Sequence, residues 1–129
     1  MKSREELDRL SKVVVDSFFS VHKEMGPGLL ENIYTYCLIK EFQLRELNVL
    51  KEVFVPLNYK GFELPKDFRI DLLVEGEIII EVKAVDIIHP VYEAQIISYL
   101  KLTDKRLGFL VNFNVPLIKD GIKRFVFNF

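Results

Sequence analysis

The chain has 129 residues, and half of them are hydrophobic and 12% aromatic, which excludes a disordered protein. This length suits one domain with a single hydrophobic core. The formal net charge of −1 neither supports nor excludes nucleic acid as a partner, because a local basic patch does not show in the total.

The cysteine content and the N-terminus bear on the cellular compartment. Cys37 is the single cysteine, so no intrachain disulfide can form, which fits a reducing cytoplasm. The first ten residues, MKSREELDRL, are charged and contain no apolar core of a secretory signal. No apolar run approaches the roughly 20 residues that a membrane span needs. We therefore expect a cytoplasmic protein without membrane contact.

A first helix is predicted from about Arg4 to Glu24, because apolar residues recur there at intervals of three and four. Ser3 and Glu6 resemble a capping box at its start. His22 lies in the last turn. It is interpreted either as a helix-end cation or carboxylate partner, or as a contact to metal or phosphate that would make it a substrate-binding residue.

A second helix is predicted from about Leu29 to Leu47, after Gly26-Pro27-Gly28 has ended the first. Its predicted apolar face consists of Leu30, Ile33, Tyr34, Cys37, Leu38 and Phe42. Glu31 falls in the first turn, where a carboxylate favours the helix dipole. That stabilising role alone would explain Glu31.

The pattern then changes to strands. Alternating residues predict a strand from Val49 to Tyr59, and Pro56 predicts that this strand lies at a sheet edge or is bulged. Lys60-Gly61 is a hairpin turn signal. Residues 68–74 alternate again and lead into a hairpin, DLLVEGEIIIEVK, that spans residues 71–83.

This hairpin carries charged groups at the end of core strands. Glu81 and Lys83 share one face of the second strand by the period of two. They can pair with each other, but that pairing leaves Asp71 unexplained. If Asp71 lies opposite or diagonal to Glu81, two carboxylates and a lysine converge, and such carboxylates repel unless a cation lies between them. Mg²⁺ takes such oxygen ligands and can stabilise charge on a phosphate.

The length of the turn decides whether this convergence occurs. A strict two-residue turn at Glu75-Gly76 would pair Asp71 with Ile80 and place Glu81 on the wrong face. A three-residue turn or a bulge is therefore required.

A third helix is predicted from Pro90 to about Leu102, with Tyr92, Gln95 and Tyr99 on one stripe. Gln95 needs hydrogen-bond partners, either a backbone group or a phosphate or metal-bound water. Apolar residues 107–113 predict a buried strand, Asp120-Gly121 a turn, and residues 122–129 a last strand. The predicted order is α, α, β, β, β, α, β, β. The last helix crosses between two parallel strands of a mixed sheet.

Four short motifs together resemble the PD-(D/E)XK nuclease superfamily. They are Asp71, Glu81-Val82-Lys83, the Gln95-to-Tyr99 run QIISY, and the upstream GLLENIY, which reads as GxxExxY. The QIISY run resembles that of RecB-type exonucleases, and the whole chain looks like the small bacterial and archaeal GxxExxY proteins. Ile70 precedes Asp71 where the superfamily motif has proline.

The resemblance implies an α/β, restriction-endonuclease-like fold with a mixed central sheet flanked by helices, as a single domain over residues 1–129. It implies metal ligands at Asp71, Glu81, the carbonyl of Val82 and Glu31. It implies catalytic roles for Glu31, Asp71, Glu81, Lys83 and Gln95, with Mg²⁺ or Mn²⁺ as cofactor. Tyr34, Tyr99 and His22 are the candidate substrate contacts.

The expected function is metal-dependent hydrolysis of phosphodiester bonds in DNA or RNA. The alternative is a catalytically weak or inactive module of the same fold that binds nucleic acid or protein in a defence or mobile-element system. The small size and near-neutral charge favour a homo-oligomer or a protein partner in addition to nucleic acid.

Overall fold

The computed structural model describes residues 1–65 and 68–129, which form three α-helices, one short 3-10 helix and two β-sheets. The helices are α1 (Arg4–Met25), α2 (Glu31–Leu44) and α3 (Pro90–Thr103), and the 3-10 helix spans Ile118–Gly121. The strands are β1 (Val49–Phe54), β2 (Asn58–Tyr59), β3 (Phe62–Glu63), β4 (Arg69–Val74), β5 (Ile78–Lys83), β6 (Leu107–Asn112) and β7 (Ile122–Val126).

The main sheet has the strand order β1-β4-β5-β6-β7. Its β5 and β6 strands are parallel and the other neighbours antiparallel, so the sheet is mixed. Helix α3 makes the crossover between the two parallel strands, which confirms the predicted connection. The α/β fold class with a mixed central sheet is therefore confirmed.

The helices cover both faces of this sheet. On one face, α1 and α2 pack their buried side chains against those of Leu72, Ile80 and Val82. On the other face, Ile96 and Tyr99 of α3 pack against Ile79. Because successive residues of a strand point to opposite faces, Glu81 and Lys83 follow Ile79 onto the α3 face.

Helix α1 begins as predicted. The amide of Glu6 donates to Ser3 Oγ and the amide of Ser3 donates to Glu6 Oε1, each at 3.1 Å, so the capping box is present. This arrangement satisfies two of the amides that a helix start leaves without partners.

Helix α2 is shorter than predicted. It begins at Glu31 and ends at Leu44, because Glu46 adopts a left-handed φ of 60° and the amide of Leu47 bonds back to the carbonyl of Phe42 at 2.9 Å. Its predicted apolar face is only partly buried: Tyr34, Leu38 and Phe42 are inside, Cys37 is half-buried, and Leu30 and Ile33 are exposed.

The strand predicted from Val49 to Tyr59 is divided at Pro56. Proline lacks the amide that would continue the ladder, so β1 ends at Phe54 and β2 pairs instead with β3 in a separate sheet. Strand β1 lies at the edge of the main sheet, as predicted. Lys60 and Gly61 both have positive φ, as a tight hairpin turn requires, and this turn is confirmed.

The C-terminal segment differs in two details from the prediction. Strand β7 ends at Val126, and Asp120-Gly121 closes the 3-10 helix where a turn was predicted. Gly121 lies against the backbone of β6, since a Cβ at this position would come within 2.1 Å of the carbonyl oxygen of Asn112. Only glycine fits this close approach.

Candidate functional site

The turn between β4 and β5 has three residues. Val74 pairs with Ile78, which leaves Glu75, Gly76 and Glu77 in the connection, and Leu72 pairs with Ile80. Glu75 and Gly76 both adopt left-handed φ values, 54° and 66°. The required three-residue turn is therefore confirmed, and its register, continued by one residue, sets Asp71 opposite Glu81.

Side chains replace the backbone ladder at this point. Asp71 Oδ2 accepts a 2.9 Å hydrogen bond from the amide of Val82, and Glu81 Oε1 accepts a 3.4 Å bond from the amide of Asp71. The regular pairing of β4 with β5 ends at Leu72 and Ile80. The two carboxyl groups are thus held at the end of the hairpin by the backbones of both strands.

Glu81 is the more deeply buried of the two. Its exposed fraction is 3%, whereas Asp71 is half-buried. Burial raises the pKa of the Glu81 carboxyl to about 10, the neighbouring charge of Asp71 adds to this rise, and Lys83 partly opposes it. A buried carboxyl beside a second carboxyl resists ionisation unless a cation compensates it.

A polar cavity of about 230 Å³ opens at this position. Five of the predicted site residues line it: Asp71, Glu81, Lys83, Gln95 and Tyr99. Glu52 and Arg69, which were not predicted, line it as well. The strand end and helix α3 together therefore form one concave polar site.

Glu31 lies in an adjoining cavity of about 180 Å³. Asp71 and Glu52 line both cavities, so the two adjoin at these residues and are together called the cleft. Glu31 is the first residue of α2 and its side chain is exposed, yet neighbouring protein removes enough hydration to raise its pKa. Lys83 lowers this pKa and Asp71 raises it, so Glu31 is within electrostatic reach of both.

Lys83 is held towards α3 by an aromatic ring. Its Nζ lies 4.4 Å from the centre of the Tyr92 ring, a cation–π contact. Tyr92 belongs to the same helical stripe as Gln95 and Tyr99. The sequence placed Tyr92 on that stripe but gave it no role.

Tyr99 forms a wall of the site. Its exposed fraction is 2%, and burial, followed by the charges of Glu81 and Asp71, raises the pKa of its phenol to about 12. A hydrogen bond with the backbone of Arg69 partly opposes this rise. Tyr99 therefore links α3 to the start of β4, while Gln95, half-buried one turn earlier, keeps its amide at the cavity.

Tyr34 does not contact the cleft, and the predicted substrate contact is wrong. Its side chain is fully buried, and its ring stacks on Phe113 with 4.5 Å between ring centres. The hydroxyl donates to the carbonyl of Gly26 at 2.5 Å and accepts from the amide of Leu29 at 3.1 Å. Tyr34 therefore fixes the loop that leads into α2 and to Glu31.

The structure also corrects the substrate role of His22. The side chain is buried, its Nε2 lies 2.8 Å from the carbonyl oxygen of Val115, and its ring stacks on Phe113. His22 is not among the described residues that line the cavities at Asp71, so its Nε2 is used by the protein backbone and not at the candidate site. It joins α1 to the segment that follows β6.

Glu52, like Arg69, was not predicted as a site residue. It lies within β1, where the register of its neighbours sets it opposite Asp71, and it has a left-handed φ of 55°. Its carboxylate is 3.8 Å from the Arg69 guanidinium. A non-glycine residue with this φ is uncommon in a strand, and functional sites concentrate such strain. The run Lys51-Glu52-Val53 gives no sign of it, because it reads as an ordinary edge strand.

The donor groups at the polar cavity fit a divalent cation that water and substrate also ligate. In residues 1–65 and 68–129, no three His, Cys, Asp or Glu side chains are arranged as a ready metal cage. Mg²⁺, however, is usually held by one or two carboxylates together with water and substrate phosphates. The oxygen donors of Asp71 and Glu81, with the buried and repelled state of Glu81, fit such an ion.

The family model of the PD-(D/E)XK nuclease superfamily matches residues 8–125, and the chain therefore belongs to this superfamily. Its members are typically metal-dependent and act on nucleic acid. No curated protein and no solved structure shows a significant match to the chain. Within the described residues, no helix has the length and apolar character needed to cross a membrane.

Proposed function

We propose that residues 1–129 form one nuclease-like domain of the GxxExxY type that hydrolyses phosphodiester bonds of DNA or RNA with Mg²⁺ or Mn²⁺. The observation that carries this proposal is the burial of Glu81 beside Asp71 at the wall of a polar cavity that also contains Lys83. A buried carboxyl group beside a second carboxyl group is costly to ionise unless a cation compensates the charge.

The residues that would hold the ion are Asp71, Glu81 and the carbonyl of Val82, with Glu31 at the adjoining cavity. When bound, the ion supplies Lewis-acid stabilisation of charge on the phosphate. The carboxyl groups of Asp71 and Glu81 each accept a hydrogen bond from a backbone amide. These bonds fix the direction of the remaining carboxyl oxygens. This fixed placement is what electrostatic catalysis requires.

Lys83 is, with Arg69, one of the two cationic side chains that line the polar cavity. Its contact with Tyr92 and the acidic neighbours keep the ammonium group at the cavity, where it would stabilise negative charge on a phosphate oxygen. Gln95 would donate its amide to another phosphate oxygen or to a water. Glu31, with its raised pKa, is suited to accept a proton from the attacking water.

A second candidate is a module of this fold that binds nucleic acid or protein with little or no catalysis, in a defence or mobile-element system. One observation favours it. Each of the two carboxyl groups already accepts a hydrogen bond from a backbone amide, so both have a structural use at the end of the hairpin. The near-neutral net charge also favours a protein partner or a homo-oligomer.

The test is a cleavage assay on a panel of single- and double-stranded DNA and RNA with Mg²⁺, Mn²⁺ or EDTA. We expect cleavage with either metal and none in EDTA or with Asp71→Asn. The matched control is Asp104→Asn, because Asp104 is an exposed residue at the end of α3 with left-handed φ, which asparagine tolerates. A purified, folded protein that binds these nucleic acids but cleaves none of them would favour the second candidate.

A further inference from the structure

Gln95 and Tyr99 face two cavities. One is the polar cavity with Asp71, Glu81 and Lys83, and the other is a cleft of about 370 Å³. We call the second one the apolar cleft; apart from Gln95 and Tyr99, it is lined by Leu57, Phe68, Val91, Ala94, Ser98 and Leu102. The two cavities therefore share a wall.

One wall of the apolar cleft is a stripe of helix α3. Val91, Ala94, Ser98 and Leu102 recur at intervals of three and four, so they lie on one helix face. Val91 is 64% exposed and Leu102 48% exposed, which leaves apolar surface open at both ends of the stripe. Ala94 and Ser98 between them are small, and a flat group can approach the helix there.

The opposite wall is aromatic. Phe68 precedes β4 and is 42% exposed, and its ring meets that of Tyr99 edge to face, with 6.4 Å between the centres. Exposed aromatic side chains beside a groove are the usual platforms for unstacked bases. Ser98 and Gln95 add groups that can hydrogen-bond to the polar edge of a base.

We propose that the apolar cleft takes one unstacked base of a single-stranded nucleic acid whose phosphate lies in the polar cavity. This inference rests on the proposed function and gives it a substrate class. One cavity is lined by charged side chains and the other by uncharged, mostly apolar ones. A nucleotide likewise consists of a charged phosphate and a flat, largely apolar base. In an intact duplex the bases are stacked and paired, so none is free to enter the apolar cleft.

The placement of charge supports the same occupant. The lining of the apolar cleft, as far as the described residues form it, consists of uncharged side chains, whereas Arg69 and Lys83 lie in the polar cavity. Phosphates are attracted to basic side chains, and stacking does not depend on base identity. We therefore expect binding with little sequence preference.

The test uses one substitution that fills the apolar cleft and another that removes its aromatic wall. Ala94→Leu places a larger side chain on the helical wall of the apolar cleft, and both residues favour helices, so α3 remains intact. Phe68→Ala removes the ring, and Phe62→Ala is its control because Phe62 is exposed on β3 outside the cleft. Affinity for a fluorescein-labelled thymidine oligonucleotide and for a DNA duplex is measured by anisotropy in EDTA, so the result does not depend on cleavage.

We expect the unmodified protein to bind the single strand more tightly than the duplex. Ala94→Leu and Phe68→Ala should each weaken single-strand binding by about tenfold, and Phe62→Ala should leave it unchanged. Circular dichroism verifies that each variant is folded, and Ala94→Leu decides the outcome if Phe68→Ala is not.

Two results would overturn the inference and leave the nuclease proposal intact: tighter binding of the duplex, or unchanged single-strand affinity in Ala94→Leu. A dimer in sedimentation that Ala94→Leu dissociates, with unchanged oligonucleotide affinity, would overturn it in favour of a contact between two copies. The expected binding pattern without cleavage in Mg²⁺ or Mn²⁺ supports the inference and contradicts the proposed catalysis alone.

Discussion

Asp71 and Glu81 face each other at the end of β4 and β5, and each carboxyl group accepts a hydrogen bond from a backbone amide of the opposite strand. The hairpin thus holds together two groups that repel when both are ionised. The pair contributes structural hydrogen bonds, and its second ionisation is opposed by burial and by the first, so the site is sensitive to pH and to cations.

Stability in EDTA should fall as pH rises. Burial raises the pKa of Glu81 from 4.5 to about 10, so between these values the folded state binds more protons than the unfolded state. The free energy of unfolding therefore decreases with pH in this window, by up to about 1.4 kcal/mol per pH unit for one full proton. Urea unfolding from pH 5 to 9 measures this slope.

Glu81→Gln should remove most of that slope and stabilise the folded protein at the alkaline end, because the amide never ionises. Glu24→Gln, at an exposed position near the end of α1, is the control and should keep the slope. An equal slope in the unmodified protein and in Glu81→Gln would refute the assignment of the raised pKa to Glu81.

Divalent cations should raise the melting temperature and release protons. A ligand that binds only the folded state stabilises it by mass action, by about 2.7 kcal/mol at a concentration one hundred times its dissociation constant. Because Glu81 is held protonated, binding of Mg²⁺ near neutral pH should release up to about one proton. Calorimetric titration in two buffers of different ionisation enthalpy measures this number.

Asp71→Ala should yield a folded protein in which divalent cations neither raise the melting temperature nor release protons. Asp104→Asn should retain both effects. The removal of one of two repelling carboxyl groups can even stabilise the protein without metal. An unchanged metal response in Asp71→Ala would place the ion elsewhere.

Glu31→Gln separates a role at the site from a role in the helix. If Glu31 only interacts with the dipole of α2, the change should cost a few tenths of a kcal/mol, up to about 1, and leave metal affinity and cleavage intact. We expect a different result: weaker metal binding and cleavage lower by orders of magnitude at nearly unchanged stability, because the amide preserves volume. Calorimetry and a nuclease assay on one preparation distinguish these results.

Tyr34→Phe should destabilise the protein by about 1–3 kcal/mol, because the carbonyl of Gly26 and the amide of Leu29 lose their shared partner. Tyr36→Phe is the control, since Tyr36 lies on the same helix and is 62% exposed. Chemical denaturation of both variants measures the difference. Equal free energies of unfolding for Tyr34→Phe and Tyr36→Phe would show that the Tyr34 hydroxyl does not hold the loop before α2.

The hairpin could be predicted from the sequence because its signals are local. Isoleucines and valines favour strands, Gly76 marks the turn, and the period of two places Glu81 with Lys83. The same signals required a three-residue turn or a bulge, and the structure has the three-residue turn. The features that could be predicted are thus those that residues close together in the sequence determine.

Contacts between distant segments could not be predicted in this way. Tyr34 and His22 read as polar residues available to a substrate, but both stack on Phe113, which only the tertiary fold brings near. Glu52 was missed for a related reason: its left-handed backbone depends on the irregular pairing of β1 with Asp71, which leaves no trace in residue type.

The turn at Gly76 also has a consequence for the order of events during folding. Asp71 and Glu81 are ten residues apart and meet by closing a local loop, whereas Glu31 and Gln95 reach the cleft only when α2 and α3 dock. Short loops close early because their entropic cost is small. We therefore expect this pair to meet before the rest of its surroundings docks, and a divalent cation to accelerate folding as well as stabilise its product.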